Sequence, residues 1–422
     1  MITQPAALSH LKVLDLSRVL AGPWCTQMLA DLGADVVKVE RPGAGDDTRH
    51  WGPPFLKDAD GNDTLDATYF TACNRNKRAI TLDMAKPEGQ AQIRQMAAQS
   101  DILVENFKVG GLKAYGLDYE SLKAVNPRLI YCSVTGFGQD GPYAERAGYD
   151  LMIQAMSGLM SITGQADGEP GGEPMRIGVA LIDILTGIYA NSAILAAVET
   201  RHITGQGQHI DMALLDVGMA VLANQAAGFL NTGKVPQRQG NSHPSLAPYQ
   251  TFETADGAML LAIGNDGQFA RFCEAAGQAP WAQDARFATN TLRVKNREAL
   301  IPQMLVVTRT RSTAQWIALL EDKAVPCGPI NDLGQAFADE QVKARGLVLN
   351  QPVVPVQQAL LATTSIAKQA VIRTVASPLR LTATPPVLRH APPRLGQHTN
   401  EVLAELGLMP ADIAALRERG VV

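Results

Sequence analysis

Cysteine is scarce. The five residues, Cys25, Cys73, Cys132, Cys273 and Cys327, are odd in number, widely spaced and without a C-x-x-C pair. This excludes a disulfide framework or a structural zinc site as the organising device. Aromatic residues make up only 5% of the chain, too few for stacking platforms that hold single-stranded nucleic acid. An excess of one charge is also missing. Lys and Arg number 37 against 41 Asp and Glu, a net charge of −4, so there is neither a basic field for nucleic acid nor an acidic tail. The beginning of the sequence lacks a charged segment leading into an apolar one, so no secretory signal is expected and the reducing cytoplasm is the expected location. H-E-x-x-H, P-loop and G-x-S-x-G motifs are absent, and no G-x-G-x-x-G follows the first strand. These gaps argue against zincin, nucleoside triphosphatase, α/β-hydrolase and nicotinamide-dependent readings, and no metal is expected.

What is present points to large cores. Apolar residues make up 46% of 422 positions and charged residues 18%, which implies more than one ordinary domain. The first hundred residues alternate in the α/β manner. Val13–Leu16 reads as a strand, Trp24–Leu32 as a helix and Asp35–Glu40 as a second strand. Ala79–Asp83, a helix opened by Pro87, Asp101–Glu105 and Leu129–Thr135 continue the pattern, so a doubly wound parallel sheet is expected, with ligands at the carboxyl ends of its strands. Residues 151–230 read as well-buried helices around the strand His209–Met212. Polar sequence from Lys234 to Pro248 reads as a crossing to a smaller α+β domain. That domain would begin with a hairpin over 249–263 and continue with three helical stretches. Residues 346–393 read as extended chain, followed by helices with Thr399 as an N-cap and Gly407 and Gly420 as terminators.

Asp183 is the most unusual residue. It is the only acidic or basic side chain between Ile177 and Val198. That run is long enough to raise a membrane span, but an Asp within it costs about 2.5–3.5 kcal/mol on insertion scales, so a buried helix of a globular protein is the better reading. Asp183 is then either an N-cap or a carboxylate nucleophile at a helix N-terminus, whose N–H groups would keep it ionised. Asp150, after Gly148-Tyr149, has the same two readings. Arg41 closes the second strand and is either a solvated arginine or a cation for a ribose phosphate. Asn106-Phe107, with Lys108 and Lys113 nearby, follow a strand end suited to an anionic ligand. His243 is either an active-site loop residue or part of a polar linker.

Together these residues carry a resemblance. Val13-Leu14-Asp15-Leu16-Ser17-Arg18-Val19-Leu20-Ala21-Gly22-Pro23, Leu32 to Glu40, Asn76-Lys77-Arg78, Val104-Glu105-Asn106-Phe107, Gly148-Tyr149-Asp150, Thr204 to Gln208, Pro326-Cys327-Gly328-Pro329 and Leu395 to Thr399 occur in collinear order. The chain resembles the class III coenzyme A transferases, the CaiB/BaiF type that includes formyl-CoA and carnitine CoA-transferases. The resemblance implies a Rossmann-like large domain built from both chain ends, a smaller α+β domain between them, and an interlocked homodimer. The corresponding boundaries are 1–225 and 346–422 for the large domain and 226–345 for the linker and small domain.

The resemblance also assigns roles. Asp183 falls at the family's nucleophilic aspartate. Val19, Leu20 and Ala21 would approach CoA, Arg41 would face the 3′-phosphate ribose, and Leu82 and Met84 would flank the adenine. Asn106 and Phe107 would meet the pantetheine–pyrophosphate region, with Tyr149 and Asp150 near the thiol. A phosphate-contacting arginine of formyl-CoA transferase aligns with Ala114, leaving Lys113 as the candidate substitute, and a lysine there is Ala147 here. The glycine-rich loop covering that enzyme's site is absent, and Arg238 to Pro244 resembles other branches. The expected activity is transfer of CoA from an acyl-CoA to a small carboxylic acid, dicarboxylates among them, with His243 as a candidate acceptor contact. An α-methylacyl-CoA racemase-like enzyme and a non-catalytic acyl-CoA-binding protein are the alternatives.

Overall fold

The computed structural model describes residues 5–57, 61–352 and 371–422. Six short apolar segments, bounded by turns, form a parallel sheet: β1 (Lys12–Asp15), β2 (Asp35–Glu40), β3 (Arg78–Thr81), β4 (Ile102–Glu105), β5 (Ile130–Thr135) and β6 (His209–Ala213). Their spatial order is β3-β2-β1-β4-β5-β6, all parallel. This is the doubly wound order expected from the alternation of strands and helices. The strand order reverses between β1 and β4, so their carboxyl ends flank a crevice.

The helices that frame the crevice are α1 (Ala21–Asp31), α2 (Pro87–Gln99), α3 (Asp150–Met156) and α4 (Leu181–Thr204). By length and composition α4 could cross a membrane. Its Ile182, Thr186, Ala190, Ile194 and Ala197 recur at helical spacing and are buried, and the helix packs on α1. Other positions of this region depart from the expected thorough burial. Tyr189 and Ile203 on α4 are exposed, and Ala223–Thr232 has no buried residue.

The chain divides into two compact units. The first comprises Met1–Ser157, Gly178–Ala223 and Lys343–Val422. The tail is bound to the free edge of the sheet. Ala79 N–H donates to His398 Nδ1 at 3.1 Å, and Thr81 N–H to Thr399 Oγ1 at 3.0 Å. Unpaired strand donors are thereby satisfied. Thr399 is therefore not the N-cap of the helix Thr399–Glu405; His398 holds that position. The extended reading of 346–393 is met by an antiparallel pair, Val348–Pro352 with Val371–Val375, while residues 353–370 lie outside the described residues.

The second unit comprises Gly158–Ile177 and Asn224–Val342. Gly158–Ile177 thus clusters with the second unit, although the boundary at 225 assigns it to the first. This unit holds an antiparallel sheet of β7 (Tyr249–Glu253), β8 (Ala258–Ala262) and β9 (Cys327–Pro329), with β8 central. Four α-helices, rather than three, lie between Asp266 and Asp322. Phe252, Phe269, Phe272, Phe287 and Trp316 fill its core.

Candidate active site

Two strand ends are tied together at the crevice. After β1 the chain turns through Ser17–Leu20 into α1; after β4 it continues as Asn106-Phe107. The Asn106 amide joins them, accepting from Arg18 N–H at 2.8 Å and donating to Arg18 C=O at 2.7 Å. Phe107 N–H donates to Glu105 at 2.7 Å, and the Arg18 guanidinium lies 5.3 Å from the Phe107 ring centroid. Beyond β5, Gly136 and Gly148 cross so closely that a Cβ on either would sit within 2.5 Å of the other's Cα. Only glycine permits this crossing, and it brings Tyr149 and Asp150 back to the sheet end.

Asp183 occupies the first turn of α4, but it is not the cap. The N-cap position is Ala180, which has no capping side chain. Asp150 supplies the cap from a distance: its Oδ1 accepts from Ile182 N–H at 2.7 Å and Asp183 N–H at 3.2 Å, and its Oδ2 accepts from Gln154 at 2.6 Å. Two expectations are corrected. Asp150 does not cap its own helix α3, whose N-cap is Tyr149, and the first-turn N–H groups of α4 serve Asp150 rather than the Asp183 carboxylate. Asp183 is left with poor solvation and a like charge nearby. Burial, and secondly the Asp150 charge, push its carboxyl from the ordinary 3.8 up to about 7. The same region affects Tyr69, whose hydroxyl is pushed up to about 12 by burial and then by Asp183.

Gly187, one turn beyond Asp183, sets the approach of the two helices. A Cβ there would meet Ala21 O at 2.7 Å and Trp24 Cβ at 3.0 Å. The absence of a side chain lets α4 press against the start of α1, bringing Asp183 to the wall formed by Leu20 and Ala21.

A cavity of ≈ 440 Å³ gathers many of the expected residues: Val19, Leu20, Ala21, Asn106, Phe107, Tyr149 and Asp183. A neighbouring cavity of ≈ 530 Å³ is lined by Arg41, Leu82 and Met84. Arg18, Asp47, Phe107 and Gly111 line both, so the two form one groove along the strand ends. Arg41 is exposed at one part of this groove and Asp183 half-buried at another.

Three expected residues stand apart from this lining. Asp150 lies behind it as the α4 cap. Lys113 lines an adjoining hollow of ≈ 210 Å³ with Glu105, Ser133 and His209, and Lys108 borders both that hollow and the groove. His243 belongs to the second unit, where its Nδ1 accepts from Ser245 N–H at 3.0 Å and its ring lies 5.2 Å from that of Tyr249. The sequence reading also missed groove residues. Arg18 was visible beside the Val19 turn, and Gly136 closed a recognised strand. Arg146 had only its nearness to Tyr149 to mark it. Its guanidinium lies over the rings of Phe137 and Tyr143, at 5.2 and 4.5 Å, and no carboxylate pairs with it among the described residues.

Known proteins are similar to this one along nearly the whole chain. The profile of CoA-transferase family III matches residues 8–399. The succinate–glutarate CoA-transferase of Agrobacterium fabrum is 50% identical over 399 residues, covering 94% of this chain and 95% of that protein. The succinyl-CoA:glutarate CoA-transferase of Homo sapiens is 42% identical, covering 94% of this chain and 86% of that protein. A crystal structure of a CaiB/BaiF family protein from Brucella suis superposes with a TM-score of 0.82 at 48% identity, covering 96% of this chain and all of that one. A match that runs from before β1 to the tail strapped along β3 includes both halves of the split sheet unit, and on that extent the chain belongs to CoA-transferase family III.

Proposed function

We propose that this chain moves CoA from an acyl-CoA thioester to a small dicarboxylic acid, with Asp183 as the nucleophile. The observation that carries the reading is the placing of a carboxylate raised to about 7 in a groove at the sheet's switch point. The Asp183 carboxylate attacks the thioester carbonyl carbon and the C–S bond breaks, giving an aspartyl mixed anhydride and CoA thiolate. The thiolate attacks the aspartyl carbonyl, releasing the donor acid and leaving an aspartyl-CoA thioester. The acceptor carboxylate attacks that thioester to form a second anhydride and thiolate. Thiolate attack on the acceptor's acyl carbon then completes the new thioester and restores Asp183. One thioester is exchanged for another, so no ATP is consumed.

In this proposal the wider end of the groove, with Arg41, Leu82 and Met84, takes the nucleotide of CoA, and Val19–Ala21 with Asn106 and Phe107 take the pantetheine arm. Arg146, without a carboxylate partner among the described residues, brings a positive charge to the Asp183 cavity and suits a second carboxylate; relatives named for succinate and glutarate favour the same substrate class. Lys113 and His243 are secondary candidates for anion contacts. A homodimer is part of the proposal, on the family resemblance. The racemase alternative is weakened because Tyr149 is a phenol rather than an imidazole, and both Asp150 oxygens are already engaged.

Asp183→Asn should lower exchange by ~10³-fold or more with the fold retained. Wild-type protein given donor acyl-CoA should form a hydroxylamine-sensitive adduct at Asp183, read by mass spectrometry. An adduct confined to a cysteine, or full activity in Asp183→Asn, rejects the mechanism. Epimerisation without exchange would support the racemase, and binding without turnover would support the acyl-CoA-binding protein.

A further inference from the structure

Val19 has a φ of 71°, in the left-handed region where a β-branched residue is strained. It also lines the cavity that contains Asp183. Such a conformation persists only where its surroundings enforce it. Here the peptide groups leading to Val19 are held by side chains, one of them local and the rest from distant parts of the chain. Ser17 N–H donates to Asp15 Oδ1 at 3.0 Å, and Ser17 C=O accepts from Lys38 Nζ at 2.7 Å. Asn106 holds both polar groups of the Arg18 backbone. Val19 N–H donates to Asp46 Oδ1 at 3.2 Å.

Lys38 and Asp46 are themselves an ion pair, Nζ to Oδ2 at 2.9 Å, and both side chains are wholly buried. Asp46 is fixed further: its Oδ1 accepts from Thr48 N–H at 3.0 Å and Thr48 Oγ1 at 2.8 Å, and its own N–H donates to Glu40 at 2.9 Å. The pair therefore grips the turn twice, at Ser17 C=O and at Val19 N–H. Stability alone is a poor explanation for it, because a well-packed apolar pair can replace a buried ion pair without loss. An apolar pair would have neither a donor for Ser17 C=O nor an acceptor for Val19 N–H.

We propose that the buried Lys38–Asp46 ion pair is a positioning device for the transferase site: it holds Val19 in its left-handed conformation and so shapes the groove wall that receives the acyl-CoA beside Asp183. The inference rests on the groove being the acyl-CoA site. The Lys38 and Asp46 side chains are wholly buried, and the role proposed for them acts through the backbone of Ser17–Val19; Asp46 also borders the nucleotide end of the groove, so recovery by Val19→Gly is the readout that isolates the positioning role.

The test uses the full chain. Asp46→Asn keeps the size of the side chain and one acceptor but turns a donor toward Lys38. It should lower kcat/KM for acyl-CoA on the order of 10–100-fold, mostly through KM, with a smaller change in KM for the acceptor acid. Adding Val19→Gly, which occupies the left-handed region without strain, should recover a substantial part of that loss. Thr48→Val, which removes one hydrogen bond to Asp46, is the milder variant should Asp46→Asn not fold; it should raise KM for acyl-CoA a few-fold. Thermal unfolding measured alongside separates a stability effect from a kinetic one. Unchanged kinetic constants in folded Asp46→Asn or Thr48→Val, or no recovery on adding Val19→Gly, overturn the positioning role. Failure of the underlying reading looks different: the wild-type chain itself would show no exchange, or Asp183→Asn would retain it.

Discussion

Two aspartates in the same unit show opposite uses of burial. Asp15 is the last residue of β1, with Lys77 Nζ at 2.9 Å from its carboxylate, and Ser17 and Thr26 donate to it. Burial alone would raise its carboxyl, but Lys77 and Lys38 overcome that and hold it down to about 2. Among the described residues no cation pairs with Asp183; burial is its main influence, and the adjacent charge is Asp150, so it rises to about 7. The difference separates a group built to stay charged from one poised to change state. A carboxylate fully neutralised by cations makes a weak nucleophile, whereas one with little compensation is reactive and costs stability.

The largest way to break this comparison is to strip compensation from the Asp15 region. Lys77→Met leaves a buried carboxylate unpaired and should destabilise the unit by about 3–5 kcal/mol, read by denaturant unfolding. A loss below 1 kcal/mol would mean that Asp15 finds other support. At the Asp183 end the sign reverses. A carboxyl whose native pKa is raised costs stability as pH climbs from about 4 through 7, and nothing below that range. Asp183→Asn should therefore stabilise the protein at pH 8, on the order of 1–3 kcal/mol after allowance for solvent screening, and by almost nothing at pH 4. Glu105, also raised to about 7 by burial, titrates over the same range, so this substitution removes only the Asp183 share of the slope.

The smallest effect is the most specific. Exchange should rise with pH as Asp183 ionises, with a midpoint near 7 in the free protein. Asp150→Asn removes the like charge and should move that limb to lower pH. The shift should be less than burial contributes, since burial is the larger cause. A limb that moves to higher pH would show that Asp150 raises the acidity of Asp183 through another contact.

Much of the fold was legible because its signals are local. The Val13–Leu16 and Asp35–Glu40 segments, Pro87 at a helix start and the isolation of Asp183 in an apolar run are each readable within a few residues. The site was legible only in part. Arg41, Leu82, Met84, Asn106 and Phe107 sit at strand ends, and the doubly wound pattern brings such ends together. Lys113 lines the hollow beside the groove but not the groove itself, whereas Lys108 borders both, a difference set by the fold of the 108–113 loop. One segment that carried the family resemblance, Asn76-Lys77-Arg78, makes structural contacts. Asn76 binds Asp31 and Val387 C=O, Lys77 binds Asp15, and Arg78 binds Asp35, Glu401 and Glu405.

The sequence by itself determined the alternation of strands and helices and marked Asp183 as a charge without local partners, since periodicity and composition act over one or two turns. Tertiary structure decided what surrounds that charge. Asp150, 33 positions earlier in the chain, takes the first-turn amides of α4. Gly136 and Gly148 allow the crossing that brings Asp150 there, while Lys38 on β2 binds Ser17 C=O and Asp46, beyond that strand, accepts from Val19 N–H. These pairings depend on distances through space between residues far apart in the chain, and a side chain's partner is fixed only when the folded backbone brings the two together.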